Sequence, residues 1–87
     1  MISGKTESGF EFELDVEVLN DAELIENIKA IDKGDITVLP DIAESVLGQE
    51  QKKKLYEHIR SSAGRVKMDI LAIEIGEIFK SSKQIKN

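Results

Sequence analysis

The sequence predicts a small α+β domain in which an N-terminal β-hairpin is followed by about four α-helices in a compact bundle. Apolar residues alternate strictly with charged ones over residues 10–18, which is typical of a strand with one buried face. From residue 20 onward the apolar residues recur at helical spacing instead, and glycines interrupt the pattern. We assign residues 1–80 to a single domain and residues 81–87 to a polar, frayed C-terminal tail.

The composition describes a short chain with a thin core. A chain of 87 residues buries only about 60–65% of the surface that its unfolded form exposes. The chain has no cysteine, so neither a disulfide nor a thiolate metal site compensates, and self-association is the usual remaining source of buried area. No apolar run approaches the roughly 20 residues that span a bilayer, and no signal-peptide pattern opens the chain. We therefore expect a cytoplasmic protein, a homo-oligomer without membrane contact.

Charge is distributed unevenly along the chain. Residues 1–47 contain 12 acidic residues and 3 lysines, whereas residues 48–87 contain 5 acidic and 9 basic residues. An acidic half repels phosphate backbones, and proteins that bind nucleic acid normally carry a basic patch on a basic domain. The asymmetry therefore favours contacts between copies of the chain or with a charged protein over nucleic acid.

The hairpin is predicted from the first 18 residues. In "GFEFELDVEV" the apolar residues share one face of a strand and four acidic residues share the other. The preceding residues supply a shorter strand at Ile2–Lys5 and a turn at Thr6–Gly9, which are rich in turn-forming residues. The acidic face has two explanations, which the sequence leaves open: it prevents edge pairing with other chains, or it is a binding surface.

Two helices are predicted next. Asn20 can cap the first of them in a capping box with Glu23, and an isoleucine-rich stripe then runs to Gly34. The second is predicted in "DITVLPDIAESVLG", where Gly48 ends it and Pro40 lies near its first turn.

A third helix is predicted after Gly48, with Leu55, Tyr56 and Ile59 on one side. We interpret the lysines of "QKKK" as a solvated helix face, because three lysines make few phosphate contacts and a single aromatic residue is near to stack on a base. His58 has no second histidine or cysteine to form a zinc site with, nor a nucleophile in a recognisable setting. We therefore expect it to be a surface or boundary residue.

The last helix, in "VKMDILAIEIGEIFK", is apolar on two sides. Its core face contains six residues at helical spacing: Met68, Leu71, Ala72, Ile75, Ile78 and Phe79. Val66, Ile70 and Ile73 cluster on nearly the opposite side, and this second apolar face needs a cover of its own. The cover is either the hairpin, or another subunit or a partner. We name Val66, Ile70 and Ile73 as the candidate protein interface.

Recognisable catalytic signatures are missing from the sequence. It contains no GxGxxG, GxxxxGK[ST], HExxH or GxSxG, and its carboxylates follow strand alternation and helix faces. The "DKGD" segment at Asp32–Asp35 has too few oxygen ligands for a calcium loop. We predict a non-enzymatic protein with no catalytic, cofactor-binding or metal-binding residues.

Several of these segments together resemble the small tail assembly chaperones of long-tailed phages and prophages from Gram-positive hosts. The resemblance spans Gly9 to Phe79 and lies in "GFEFELD", "LNDAELIENIKAIDKGD", the "LP" with "VLGQEQKKKLYEHIR", and "GRV" before "EIGEIF". The chain departs from the group at Lys67, since a proline commonly follows "GRV" there.

The resemblance implies a non-enzymatic role in phage morphogenesis. Proteins of this kind bind the long, aggregation-prone tape measure protein, help tail tube subunits gather around it, and typically oligomerise. The resemblance also implies a longer form made by ribosomal frameshifting, with "KQIKN" as its junction. The exposed apolar face of the last helix would then accept helical tape measure segments or a second copy.

Two other functions stay open at this point. The second and third helices with the Gly48 turn permit a small helix-turn-helix DNA-binding regulator, although such a motif needs a recognition helix with exposed basic side chains. Another phage structural component, such as a head-to-tail joining protein, would have a similar size and charge.

Overall fold

The computed structural model describes the backbone of residues 1–85 and the side-chain environment of residues 1–81. A two-stranded antiparallel hairpin precedes three α-helices, and short 3-10 helices at Val16–Asn20 and Ile36–Val38 lead into the first two. The elements are β1 (Ile2–Lys5), β2 (Glu11–Leu14), α1 (Ala22–Asp32), α2 (Leu39–Ala63) and α3 (Met68–Ile85). The predicted α+β class is confirmed, and none of the described helices is long and apolar enough to cross a membrane.

The prediction of about four helices is wrong, because the two helical arms that meet at Gly48 form one kinked helix, α2, and the total is three. Gly48 adopts φ 78° and ψ 167°, which is outside the helical region, yet the residues on both sides of it belong to the one helix α2. The glycine therefore kinks α2 into two arms without a connecting loop. Pro40 lies in the first turn of α2 as predicted, and Gly64, with φ 83°, ends the helix.

The hairpin follows the predicted strand and turn, but its second strand is shorter. β1 pairs with β2 in a register that places Ile2 opposite Leu14 and Gly4 opposite Phe12. The turn is closed by the Thr6 amide, which donates to the Phe10 carbonyl at 2.9 Å. The strand predicted to continue to Val18 ends at Leu14, because the Asp15 carboxylate accepts from the Glu17 amide and starts a 3-10 helix.

Close contact between the two strands of the hairpin explains why β1 has a glycine at position 4. The Phe12 ring lies over Gly4, so that a Cβ on Gly4 would be only 2.6 Å from the ring Cζ. Phe12 is 3% exposed, and the missing side chain at Gly4 gives its ring room to enter the core. Cross-strand packing of this kind is a main source of sheet stability.

α1 begins one residue later than predicted. Asp21, not Asn20, is its N-cap, and the Asp21 carboxylate accepts a hydrogen bond from the Glu23 amide at 2.9 Å. Asn20 instead ends the preceding 3-10 helix. A charged cap also complements the partial positive charge at the start of a helix, which makes Asp21 the better cap electrostatically.

The core lies where α2 and α3 pack against one face of the hairpin, and α1 covers α2. Apolar side chains from both strands and all three helices meet there. Those that are buried are Ile2, Phe10, Phe12, Leu14, Leu24, Leu39, Ile42, Ala43, Val46, Leu47, Leu55, Ile59, Leu71, Ile75 and Ile78.

The outer edge of β2 is closed by a side chain of α2. Gln51 accepts from the Glu13 amide at 2.7 Å and donates to the Glu13 carbonyl at 2.6 Å, so its carboxamide imitates a neighbouring strand. Edge strands with free backbone groups tend to pair with other chains. The Gln51 contact therefore protects the β2 edge at Glu13, and it leaves both explanations of the acidic strand face open.

The boundary predicted at residue 80 falls inside α3, which continues to Ile85. The remainder of the predicted tail, residues 86 and 87, and the side chains of the "KQIKN" end lie outside the described residues.

Candidate functional site

α3 contributes most of the surface that the sequence singled out. Its core face contains Leu71, Ile75 and Ile78, each at most 6% exposed, and half-buried Met68 and Phe79 border them. Of the six residues predicted for this face, Ala72 alone is exposed. The buried face therefore lies slightly to one side of the predicted stripe, toward Glu74.

The three residues of the candidate interface do not lie in equivalent positions. Val66, just before α3, and Ile70 in its first turn are half-buried and pack against the core. Ile73 is 58% exposed. Because α3 also packs against β1, part of its second apolar side is covered within the chain, and Ile73 is the member of the trio that stays available to a partner.

A polar cluster that the sequence did not predict connects the hairpin turn to α2 and α3. Ser8 Oγ lies 2.9 Å from His58 Nε2 and donates to Glu74 Oε2 at 2.8 Å. The Phe10 ring contacts the His58 ring, with centroids 5.8 Å apart. His58 is half-buried, as a boundary residue should be, but it is bound to a turn fifty residues away rather than to solvent.

This cluster contains a serine, a histidine and a carboxylate, but they are not connected in the order of a catalytic triad. A nucleophilic serine gives its proton to the histidine, and the carboxylate orients the opposite ring nitrogen. Here the Ser8 hydroxyl proton points at Glu74, so Ser8 must accept from Nε2–H of His58. These two bonds join the hairpin turn to α2 and α3.

Further bonds from the same turn support a structural role. The Glu7 amide donates to Glu77 Oε1 at 2.7 Å, and the Phe10 amide donates to Thr6 Oγ1 at 3.1 Å. Glu74 and Glu77 of α3 therefore bind adjacent residues of the turn. No spacing rule predicts these contacts, because Glu7 and Glu77 are seventy residues apart in sequence.

Glu74 is the unusual member of this cluster. Its side chain is 4% exposed, and within residues 1–81 its Oε1 atom is buried without a hydrogen-bond partner. A buried carboxylate oxygen that lacks a donor is costly, so Ser8 Oγ–H is the contact on which Glu74 depends.

The lysines of "QKKK" are not equivalent either. Lys52 is half-buried, pairs with Glu44 at 3.2 Å across the Gly48 kink, and its Nζ lies 5.5 Å from the centroid of the Tyr56 ring. Lys53 and Lys54 are exposed. Lys52 is therefore engaged within the chain, which leaves two of the three lysines as the solvated face predicted from the sequence.

Residues 1–85 contain no group of three or more histidine, cysteine or acidic side chains that could hold a metal ion. Comparison with models of protein families, with curated proteins and with solved structures finds no match to this chain.

Proposed function

We propose that this chain is a non-enzymatic phage morphogenesis protein of the tail assembly chaperone kind. It binds the tape measure protein and tail tube subunits during assembly in the host cytoplasm, as a homo-oligomer, without a cofactor and without contacts to nucleic acid or membrane. The observation that carries the proposal is the exposure of Ile73 on α3, close to half-buried Ile70 of the same helix and to half-buried Val66 just before it.

A partly exposed apolar face on a helix suits recognition of another helix. Amphipathic helices bind to apolar surfaces of other proteins through residues spaced three and four apart. Val66, Ile70 and Ile73 of this chain have the same spacing. Tape measure proteins are long and aggregation-prone. A chaperone for them must therefore cover the apolar faces of their helical segments. The resemblance of residues 9–79 to tail assembly chaperones supports the same function.

The hydrogen bonds at Ser8 do not follow the order of a catalytic triad. Ser8 donates to the Glu74 carboxylate, and His58 is engaged as a donor to Ser8 rather than as its base. Binding, rather than bond making, is the function that the remaining surface of α3 supports.

The proposal is tested by co-expressing the chain with the tape measure protein encoded in the same gene cluster and measuring the soluble fraction of that protein. The wild-type chain should raise this fraction and co-purify with it. Ile73→Lys should abolish both effects, because a charge replaces the exposed apolar contact. Glu57→Lys also places a lysine at an exposed position, on α2; it serves as the matched control and should behave as the wild type.

Two results would redirect the proposal. Salt-dependent binding to duplex DNA in a gel shift would favour the helix-turn-helix alternative, since phosphate contacts weaken steeply with salt. A gene position between head and tail genes, with no effect on tape measure solubility, would favour a head-to-tail joining protein.

A further inference from the structure

Four exposed residues of α3 form a narrow line on the side that faces away from the core. Asp69, Ile73, Gly76 and Lys80 are all exposed and are spaced four, three and four residues apart. At about 100° per residue they lie within an arc of about 60° on the helix surface. We call these four residues the outer stripe of α3.

Gly76 is the residue that the isolated chain does not explain. Glycine lowers the stability of a helix relative to alanine, so a glycine in the middle of a helix needs a reason. The other five glycines have one, since four adopt positive φ and Gly4 lies under the Phe12 ring. At Gly76 φ is not positive, and an added Cβ would meet nothing within 4 Å. A gap in an exposed helix surface is useful when another backbone or side chain comes close to it.

Ile73 supplies the complementary shape. It is 58% exposed in the middle of the outer stripe, one turn before the gap at Gly76. When two copies of α3 lie antiparallel, Ile73 of each copy faces Gly76 of the other. The same alignment places Asp69 of each copy opposite Lys80 of the other. This follows because the midpoint between Asp69 and Lys80 coincides with the midpoint between Ile73 and Gly76.

The charges of Asp69 and Lys80 favour an antiparallel over a parallel arrangement of the two α3 helices. Parallel helices would set Asp69 against Asp69 and Lys80 against Lys80, whereas antiparallel helices set each acid against a base. Neither Asp69 nor Lys80 forms an ion pair within residues 1–81. Alternating spacings of four and three residues are also those of the contact line between helices in coiled coils.

We propose that two copies of this chain associate through the outer stripe, with their α3 helices antiparallel about a two-fold axis. The interface is small, because a stable dimer typically buries about 800 Å² per partner and the stripe covers only about three helical turns. The dimer is therefore reversible, forms as concentration rises, and weakens with salt. This inference rests on the self-association included in the proposed function and names its surface.

The test is a charge exchange between two variants, Asp69→Lys and Lys80→Asp, followed by sedimentation equilibrium. In each variant alone, like charges face one another, so the dissociation constant should rise at least about tenfold. Mixed in equal amounts, the two variants restore both acid–base pairs, and the mixture should return to within about threefold of the wild-type dissociation constant. Glu57→Lys is the matched control and should associate as the wild type does.

Any of three results would overturn the proposal: a wild-type chain that stays monomeric at every concentration, single variants that associate as well as the wild type, or two folded variants whose mixture stays monomeric. Circular dichroism checks that each variant is helical. Asp69→Asn, which retains the hydrogen bond that Asp69 accepts from the Ile70 amide, provides a milder loss of charge if Asp69→Lys unfolds. Failure here is distinct from failure of the proposed function, because the co-expression assay measures the tape measure protein and not the mass of the chain.

Discussion

Single hydrogen bonds connect the hairpin turn to the helices, and Ser8 makes the central one. Its hydroxyl joins Glu74 of α3 to His58 of α2, so one small side chain links three elements. The sequence contains no sign of this contact, because the three residues lie in different elements and only the tertiary fold brings them together. The apolar neighbour Phe10, by contrast, was predicted from strand alternation and is 5% exposed.

Replacing Ser8 by alanine should lower the free energy of unfolding by about 1–3 kcal/mol, because Glu74 then loses its donor while it stays buried. Urea denaturation measures this change. Ser61→Ala is the control, since the Ser61 hydroxyl bonds to the His58 carbonyl of its own helix, and it should change stability by less than about 0.5 kcal/mol. Equal effects of the two substitutions would show that Ser8 does not stabilise Glu74.

The helices and strands were predicted best where apolar residues recur at a regular spacing and where a glycine marks a turn of the chain. β1 and the turn at Thr6–Gly9 have the predicted limits, and the core faces of α2 and α3 contain most of the predicted residues. The errors have local causes. Asp15 ends β2 early, and Gly48 bends a helix that it was expected to end. A glycine with positive φ can either kink a helix, as Gly48 does, or end it, as Gly64 does. The hydropathy pattern around the glycine does not distinguish these two cases.

The candidate interface was predicted as one face of α3, and the structure divides it. Val66 and Ile70 pack against the core, whereas Ile73 is exposed. Helical periodicity locates such residues around the helix axis, but it does not say how far a neighbouring hairpin extends over them. Glu74 and Glu77 bond to the hairpin turn, and no periodicity predicts these contacts either.

This division predicts different outcomes for two similar substitutions. Ile70→Lys should lower the free energy of unfolding by about 1–3 kcal/mol, because it introduces a charge at a half-buried position packed on the core. Ile73→Lys should change it by less than about 0.5 kcal/mol, because that side chain is exposed. Urea denaturation at a protein concentration low enough to keep the chain monomeric compares the two. A loss of stability with Ile73→Lys that equals that of Ile70→Lys would place Ile73 in the core.

At the scale of the whole molecule, the uneven charge was predictable from the sequence, whereas the outer stripe of α3 was predicted only at Ile73. The acidic residues concentrate in the first 47 positions, and several line a groove between α1 and α2: Glu23, Glu26, Asp41 and Glu44. Asp69 and Lys80 of α3, by contrast, carry opposite charges on one exposed line. The outer stripe combines those charges with Ile73 and Gly76, and its exposure became evident only once the buried face of α3 was known.

The most direct test of self-association through α3 is the solution mass of the purified chain, measured by light scattering over a concentration series beside the Ile73→Lys variant. We expect the wild-type mass to rise with concentration from the 9.7 kDa of one chain toward twice that value. The variant should remain at the monomer mass over the same range. A wild-type chain that stays monomeric, or a variant that associates equally well, would contradict self-association through the outer stripe of α3.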